Sequence, residues 1–235
     1  MPIVHRRGSI FTSDADVLVN TVNCSGVMGA GIAREMRLRY PEMYERYRVE
    51  AELGRVVIGQ VVVDKACSPW ILNFPTKKHW RHPSRVSYLR VGLDAFERRA
   101  AQGDFQSVAF PLLGASHGGI EPDVSQKLMV DRLQGLPLEI EIWEYDPKAV
   151  DDLLPILREA LDRLSAAEVA SESALGPAAV AKVREAVSQI HQLGQLADLP
   201  GLGERSIERL FAYAMRLKAH PELGPQPTLG LDLAP

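Results

Sequence analysis

Three stretches of this chain combine residue types that could do chemistry. The first is Asn23-Cys24-Ser25-Gly26-Val27-Met28-Gly29-Ala30-Gly31, with Ile32 opening an apolar-periodic run behind it. Glycine lets a backbone approach a ligand closely and accept positive φ. The helix start beyond it offers unpaired N–H groups and the positive end of a dipole. A diphosphate would satisfy both. The spacing matches neither G-x-G-x-x-G nor a phosphate loop ending in G-K-[S/T], so glycine density alone leaves a plain strand-to-helix turn as an equal reading. The second stretch is Pro111-Leu112-Leu113-Gly114-Ala115-Ser116-His117-Gly118-Gly119-Ile120. Two such loops on one sheet are harder to explain as turns and favour a shared diphosphate ligand. In the third stretch Lys77, Lys78, His79, Arg81, His82 and Arg85 lie within nine residues, interleaved with Trp80. Such a patch can bind the phosphates of a nucleic-acid strand while the indole stacks on a base. The plainer alternative is a solvated surface patch.

The elements that must position these groups alternate in type. Residues 17–20 read as a buried strand, interrupted by the glycines of 26–31 and followed by a helix over 32–40. Pro41 suits the first position of a further helix to Glu52. Residues 56–63 and 70–74 read as strands, 84–101 as a helix with Gly103 just past its end, 107–113 as a strand, 122–133 as a helix and 138–145 as a half-exposed strand. This alternation predicts an α/β fold with helices flanking a mixed sheet. In such sheets ligands sit beyond the carboxyl ends of the strands, where both glycine loops fall. Residues 1–147 form the expected α/β domain. Beyond it no strand pattern remains: 148–177 is expected to hold a helix (150–164) and a linker (165–177), 178–220 a helical region, and 221–235, with four prolines, an unpacked tail.

Composition narrows the function classes. The chain has 235 residues, 46% hydrophobic, and a net charge of −3. It therefore has a sizeable core and is not a globally basic nucleic-acid binder; anion recognition must be local. Cys24 and Cys67 are too few for a disulfide framework or a structural zinc site. No metal constellation and no cofactor is expected. No secretory signal or membrane-spanning run is legible, and a cytoplasmic location is the expectation.

Gly8-Ser9-Ile10-Phe11, the run Asp16 through Cys24, Gly26-Val27-Met28-Gly29-Ala30-Gly31-Ile32-Ala33, Pro111-Leu112-Leu113-Gly114 and Gly118-Gly119-Ile120 together resemble the macrodomain family. Asn73-Phe74-Pro75-Thr76-Lys77-Lys78-His79-Trp80-Arg81 is similar to a segment of DNA ADP-ribosyl glycohydrolases of the DarG type, the antitoxins of DarT–DarG pairs. The resemblance covers roughly residues 6–146. It implies a three-layer α/β/α macrodomain that binds ADP-ribose. Ser9 stands where most macrodomains carry an aspartate for adenine, with Ile10 beside it, and Asn23 would face the distal ribose. Gly26, Val27, Met28, Gly29, Gly31 and Ile32 of the first loop would enclose the diphosphate, with Leu113, Gly114, Ala115, Ser116, His117, Gly118, Gly119 and Ile120 of the second. Lys77 matches the lysine used at the anomeric carbon. The aspartate that related enzymes pair with that lysine would fall near Gly118, so His117 is the candidate replacement acid or base.

A lysine there has a chemical rationale. Cleavage at the ribose anomeric carbon passes through an oxocarbenium-like state, and a neutral amine can attack that carbon. Lysine is ordinarily protonated; burial and the neighbouring Lys78 would each lower its pKa. Lys78, His79, Trp80 and Arg81 are the expected DNA-facing residues. In the C-terminal region, Asp198-Leu199-Pro200-Gly201-Leu202-Gly203-Glu204 resembles the turn of helix-hairpin-helix modules, so Gly201 and Gly203 are candidate phosphate contacts. A plain αα-hairpin or a toxin-gripping surface are the alternatives. The expected activity is removal of ADP-ribose from DNA bases, opposing a DarT-like toxin, with no membrane partner. The competing readings are hydrolysis of ADP-ribosyl carboxylate esters or O-acyl-ADP-ribose, and a non-catalytic ADP-ribose reader tethered to DNA.

Overall fold

The computed structural model describes residues 2–221. The chain divides into two compact units, one up to Ala149 and one from Val150 onward.

The first unit is built on a six-stranded sheet of β1 (Ile3–Gly8), β2 (Val17–Asn23), β3 (Val62–Asp64), β4 (Trp70–Lys77), β5 (Ser107–Pro111) and β6 (Glu139–Tyr145), in the order β1-β6-β5-β2-β4-β3. All neighbours run parallel except β3, which is antiparallel to β4. The sheet is mixed, as the alternating pattern predicts. Successive strand residues point to opposite faces, and each face has its own core. Val17 and Val19 join Phe74, Phe110 and Ile140 on one side; Leu18, Ile71 and Ala109 lie on the other. The first side is covered by α3 (Val86–Ala100) and α4 (Pro122–Leu133), the second by α1 (Gly31–Arg39) and α2 (Pro41–Glu52). Gly92 lets α3 close on the sheet, since a Cβ there would lie 2.3 Å from the Phe74 ring.

Two expectations for this unit need correction. The strand read over 56–63 shrinks to β3, because Gly59 takes φ +87° beside Val91 and breaks the extended run. The edge strand β1 went unread: His5, Arg6 and Arg7 are exposed, so it carries no buried apolar pattern, and its parallel partner β6 is more than a hundred residues away.

The second unit is helical: α5 (Leu154–Arg163), α6 (Ala166–Ser173), α7 (Pro177–Ala186), a 3-10 turn at Leu193–Asp198, and α8 (Glu204–Ala219). Its core includes Leu157, Leu161, Val180, Leu193, Leu210 and Phe211. The helix expected from 150 starts later because the buried Asp151 carboxylate accepts the Leu154 N–H at 2.8 Å and the Leu193 N–H at 2.7 Å. The expected linker 165–177 is largely helix: Ser165 and Glu168 form a reciprocal capping box at the start of α6. The helical region expected over 178–220 is made of α7, the 3-10 turn and α8. The expected tail lies outside the described residues, Pro221 apart.

Candidate functional site

The carboxyl ends of β2, β4 and β5 converge on the three chemically suited stretches. A register shift at Val22/Asn23 sets Asn23 opposite Lys77. The Cys24 N–H then donates to the Lys77 carbonyl at 2.9 Å, which fastens the first glycine loop to the lysine segment. Asn23, the residue expected to face a sugar, is buried and holds the loop. Its Oδ1 accepts from the Ser25 N–H (3.0 Å), the Ser25 hydroxyl (2.8 Å) and the Val27 N–H (3.3 Å), and its Nδ2 donates to the Val27 carbonyl at 2.5 Å. Gly26 takes φ +78° within this turn. Gly29 and Gly31 are exposed, so their backbone is open to a ligand.

The second loop meets the first. A Cβ on Gly31 would lie 2.9 Å from His117 Cδ2, so the imidazole packs against the start of α1. Ser116, His117 and Gly119 are exposed. Gly118 has no room for any side chain: a Cβ would lie 2.2 Å from the Gly114 carbonyl oxygen and 2.6 Å from Ser84 Oγ. The loop as it stands therefore admits only glycine at this position. Met28, Leu113 and Ile120 have buried side chains in the cores, so only their backbone can face a ligand. Ser9 and Ile10 are likewise buried, at the 3-10 turn that follows β1.

Lys77 closes the arrangement. Its Nζ donates to the His117 carbonyl at 2.5 Å, joining the end of β4 to the second loop. Burial alone pushes the Lys77 ammonium below its ordinary value. The expected contribution of Lys78 is not among the causes, because successive side chains leaving a strand diverge. Lys78 instead acts on the Cys24 thiol. Burial raises that thiol, and it pushes Cys67 up to about 11, so neither cysteine is a ready nucleophile. Three segments thus meet where exposed glycine backbone and one amine share a surface.

Comparison with known proteins gives the arrangement a family. The Macro domain model matches residues 19–129. The macrodomain of Mycobacterium tuberculosis DarG superposes with a TM-score of 0.58 at 39% identity, over 60% of this chain and 97% of that one. This chain belongs to the macro domain family. A curated relative from Thermus aquaticus, named DNA ADP-ribosyl glycohydrolase, is 40% identical over 148 residues, 60% of this chain and 40% of the relative. The chain spans about two fifths of the length of such relatives. The structure described as Thermosipho africanus DarTG in complex with ADP-ribose matches at 28% identity with a TM-score of 0.56, over 58% of this chain and 40% of that one.

Three residues that support the macrodomain loops were not legible in the sequence. The Tyr47 hydroxyl donates to the Asn23 carbonyl at 2.6 Å from within α2; its only sequence signal is the apolar spacing from Met43. The Ser125 hydroxyl donates to the Leu113 carbonyl at 2.8 Å. The Ser84 N–H donates to the Gly118 carbonyl at 2.9 Å, and its buried hydroxyl lacks a protein partner. Of the expected DNA-facing residues, Lys78, Trp80 and Arg81 are exposed. His79 is half-buried and stacks on Trp80, with ring centroids 5.7 Å apart, while Arg81 lies 4.6 Å above the indole. In the second unit Gly201 takes φ +90° and Gly203 caps α8. Lys182 Nζ donates to the Gly201 carbonyl at 3.2 Å, so a cation from the same unit already covers part of the hairpin. Among the described residues, no acidic, histidine or cysteine cluster is placed to hold a metal ion, and no helix is long and apolar enough to cross a membrane.

Proposed function

We propose that the macrodomain binds ADP-ribose across its two glycine loops and hydrolyses the bond between the sugar's anomeric carbon and a nucleic-acid base. The observation that carries this reading is the Lys77 amine, held against the second loop by the His117 carbonyl and lowered in pKa by burial. A diphosphate lying on the exposed backbone of Gly29, Gly31 and Gly119 would bring the attached ribose to that amine. The neutral amine adds to the anomeric carbon as the glycosidic bond breaks, and the departing base takes a proton. Water then releases ADP-ribose and regenerates the lysine. The amine bonds the His117 carbonyl, and the imidazole of the same residue is the candidate to move the proton. The Gly201–Gly203 turn would supply a further backbone contact to strand phosphate.

The basic segment beside Lys77 supports a nucleic-acid leaving group over a protein carboxylate. Such an activity would oppose a DNA ADP-ribosyl transferase in the cytoplasm. A protein from Thermosipho africanus, 27% identical over 166 residues, is named as a fusion of a transferase with a glycohydrolase. Incubation with ADP-ribosylated single-stranded DNA and, separately, with ADP-ribosylated protein tests the assignment. Release from DNA is the expected result; release from protein alone selects ester hydrolysis, and release from neither leaves an ADP-ribose reader.

A further inference from the structure

An open groove of about 400 Å³ next to Lys77 is lined by Lys78, His82, Pro83, Arg85 and Tyr88. The volume lies in the range of ligand clefts. Between Asp64 and Asp94 the sequence has no acidic residue but carries Lys65, Lys77, Lys78, Arg81, Arg85 and Arg90. Several other cations of this unit are ion-paired. Arg46 pairs with Asp64, Arg48 with Glu45 and Glu52, and Arg99 with Asp104. Among the described residues, Lys78, Arg81 and Arg85 form no ion pair with a carboxylate.

Aromatic faces alternate with these cations. Arg81 lies over Trp80, Trp80 stacks on His79, and His79 meets His82 at 5.3 Å. Further along, Arg85 lies 5.6 Å from the Tyr88 ring centroid. Exposed cations without counter-ions attract a polyanion, and flat faces at intervals suit unpaired bases, which stack without sequence readout. A duplex presents no such faces from its side.

We infer that this groove holds single-stranded nucleic acid flanking the modified nucleotide, with Lys78 and Arg85 on its phosphates and Tyr88 against its bases, and with the exposed Trp80 near Lys78 in the chain as a further platform outside the groove. The inference rests on the proposed DNA-linked substrate and gives it a path over the surface away from Lys77.

The test is a fluorescence-anisotropy titration of the full chain with a fluorescein-labelled, unmodified single-stranded oligodeoxynucleotide at several salt concentrations. Arg85→Glu places an acid at the N-terminus of α3, where the helix dipole favours it, so the variant should fold. It should weaken strand binding roughly tenfold and lower the salt slope by at least about 0.7. Tyr88→Leu should weaken binding at least about fivefold with little change in slope. Free ADP-ribose should bind Arg85→Glu as it binds the wild type, as measured by calorimetry. Unchanged strand affinity in both variants would overturn the inference, as would a wild type that does not bind the strand. Equal competition by an acidic peptide of matched charge would also overturn it, in favour of a protein partner. The two readings fail separately: a wild type that binds the strand through Arg85 but releases no ADP-ribose sinks the hydrolase and leaves the groove standing.

Discussion

The cations of the two units do different work. In the second unit they close helix ends. Arg158 donates to the Val187 carbonyl at 2.6 Å and to the Ile190 carbonyl at 2.8 Å. Arg184 donates to the Leu164 carbonyl, Arg209 to the Ala174 carbonyl and Arg216 to the Glu172 carbonyl. Lys218 pairs with Asp152. The arginines satisfy carbonyls at or just beyond helix ends; Lys218 makes an ion pair. In residues 77–85 of the first unit the cations face outward, and only Lys77 is fixed, by a loop carbonyl. Residues 77–85 hold four lysines and arginines and no acid, and their cations differ from those of the second unit in partnership as well. A cation already bonded to its own backbone offers little to a phosphate, whereas an unpaired one retains its field and its donors.

Substitutions should separate these roles, and the largest effect is expected at Lys77. Lys77→Ala should reduce release of ADP-ribose from DNA by at least about 10³-fold while retaining ADP-ribose binding, read by single-turnover kinetics and calorimetry. Near-wild-type turnover would remove the amine from the mechanism. Gly118→Ala comes next. Its Cβ would sit 2.2 Å from the Gly114 oxygen, so the second loop must shift, and ADP-ribose affinity should fall at least about tenfold, the loss expected when one backbone hydrogen bond to a charged group is broken. Wild-type affinity would show that the loop is not part of the site.

A smaller and different effect is expected in the second unit. Arg158→Leu should leave two carbonyls unsatisfied and lower stability by about 1–3 kcal/mol, read as a lower denaturant midpoint, with turnover of the folded protein unchanged. A loss of turnover without a loss of stability would break the contrast between the units. The pH profile sharpens the role of Lys77. Burial lowers its pKa, so the neutral amine should accumulate below the ordinary lysine range. The rate should rise with pH through that lowered pKa, and a profile flat across the alkaline range would argue for a charged role instead. The smallest effect is expected at Lys182→Met, which uncovers Gly201. If the hairpin is only a turn, affinity for single-stranded DNA stays within about twofold, the range of most surface substitutions; a clear rise would show that Lys182 masks a phosphate site.

Much of the fold was legible because it rests on local patterns. Apolar runs of period two and of helical period, the glycines after β2 and β5, and Pro41 at the start of α2 all act through the geometry of a few neighbouring residues. The unread β1 and the shortened β3 lie at the sheet edges, where burial is partial and pairing partners are remote or glycine interrupts the run. Tyr47, Ser84 and Ser125 were silent as loop supports for the same reason: each bonds a carbonyl on another element.

The sequence by itself determined that an α/β module carries two glycine loops and a basic stretch containing Lys77, because residue type and spacing fix backbone freedom and charge. Only the tertiary structure decided that Asn23 shapes its loop, that Gly118 excludes a side chain, that Lys77 meets His117, and which cations go unpaired. Those facts depend on atoms brought within a few ångströms across tens of residues, and no local pattern encodes such a distance.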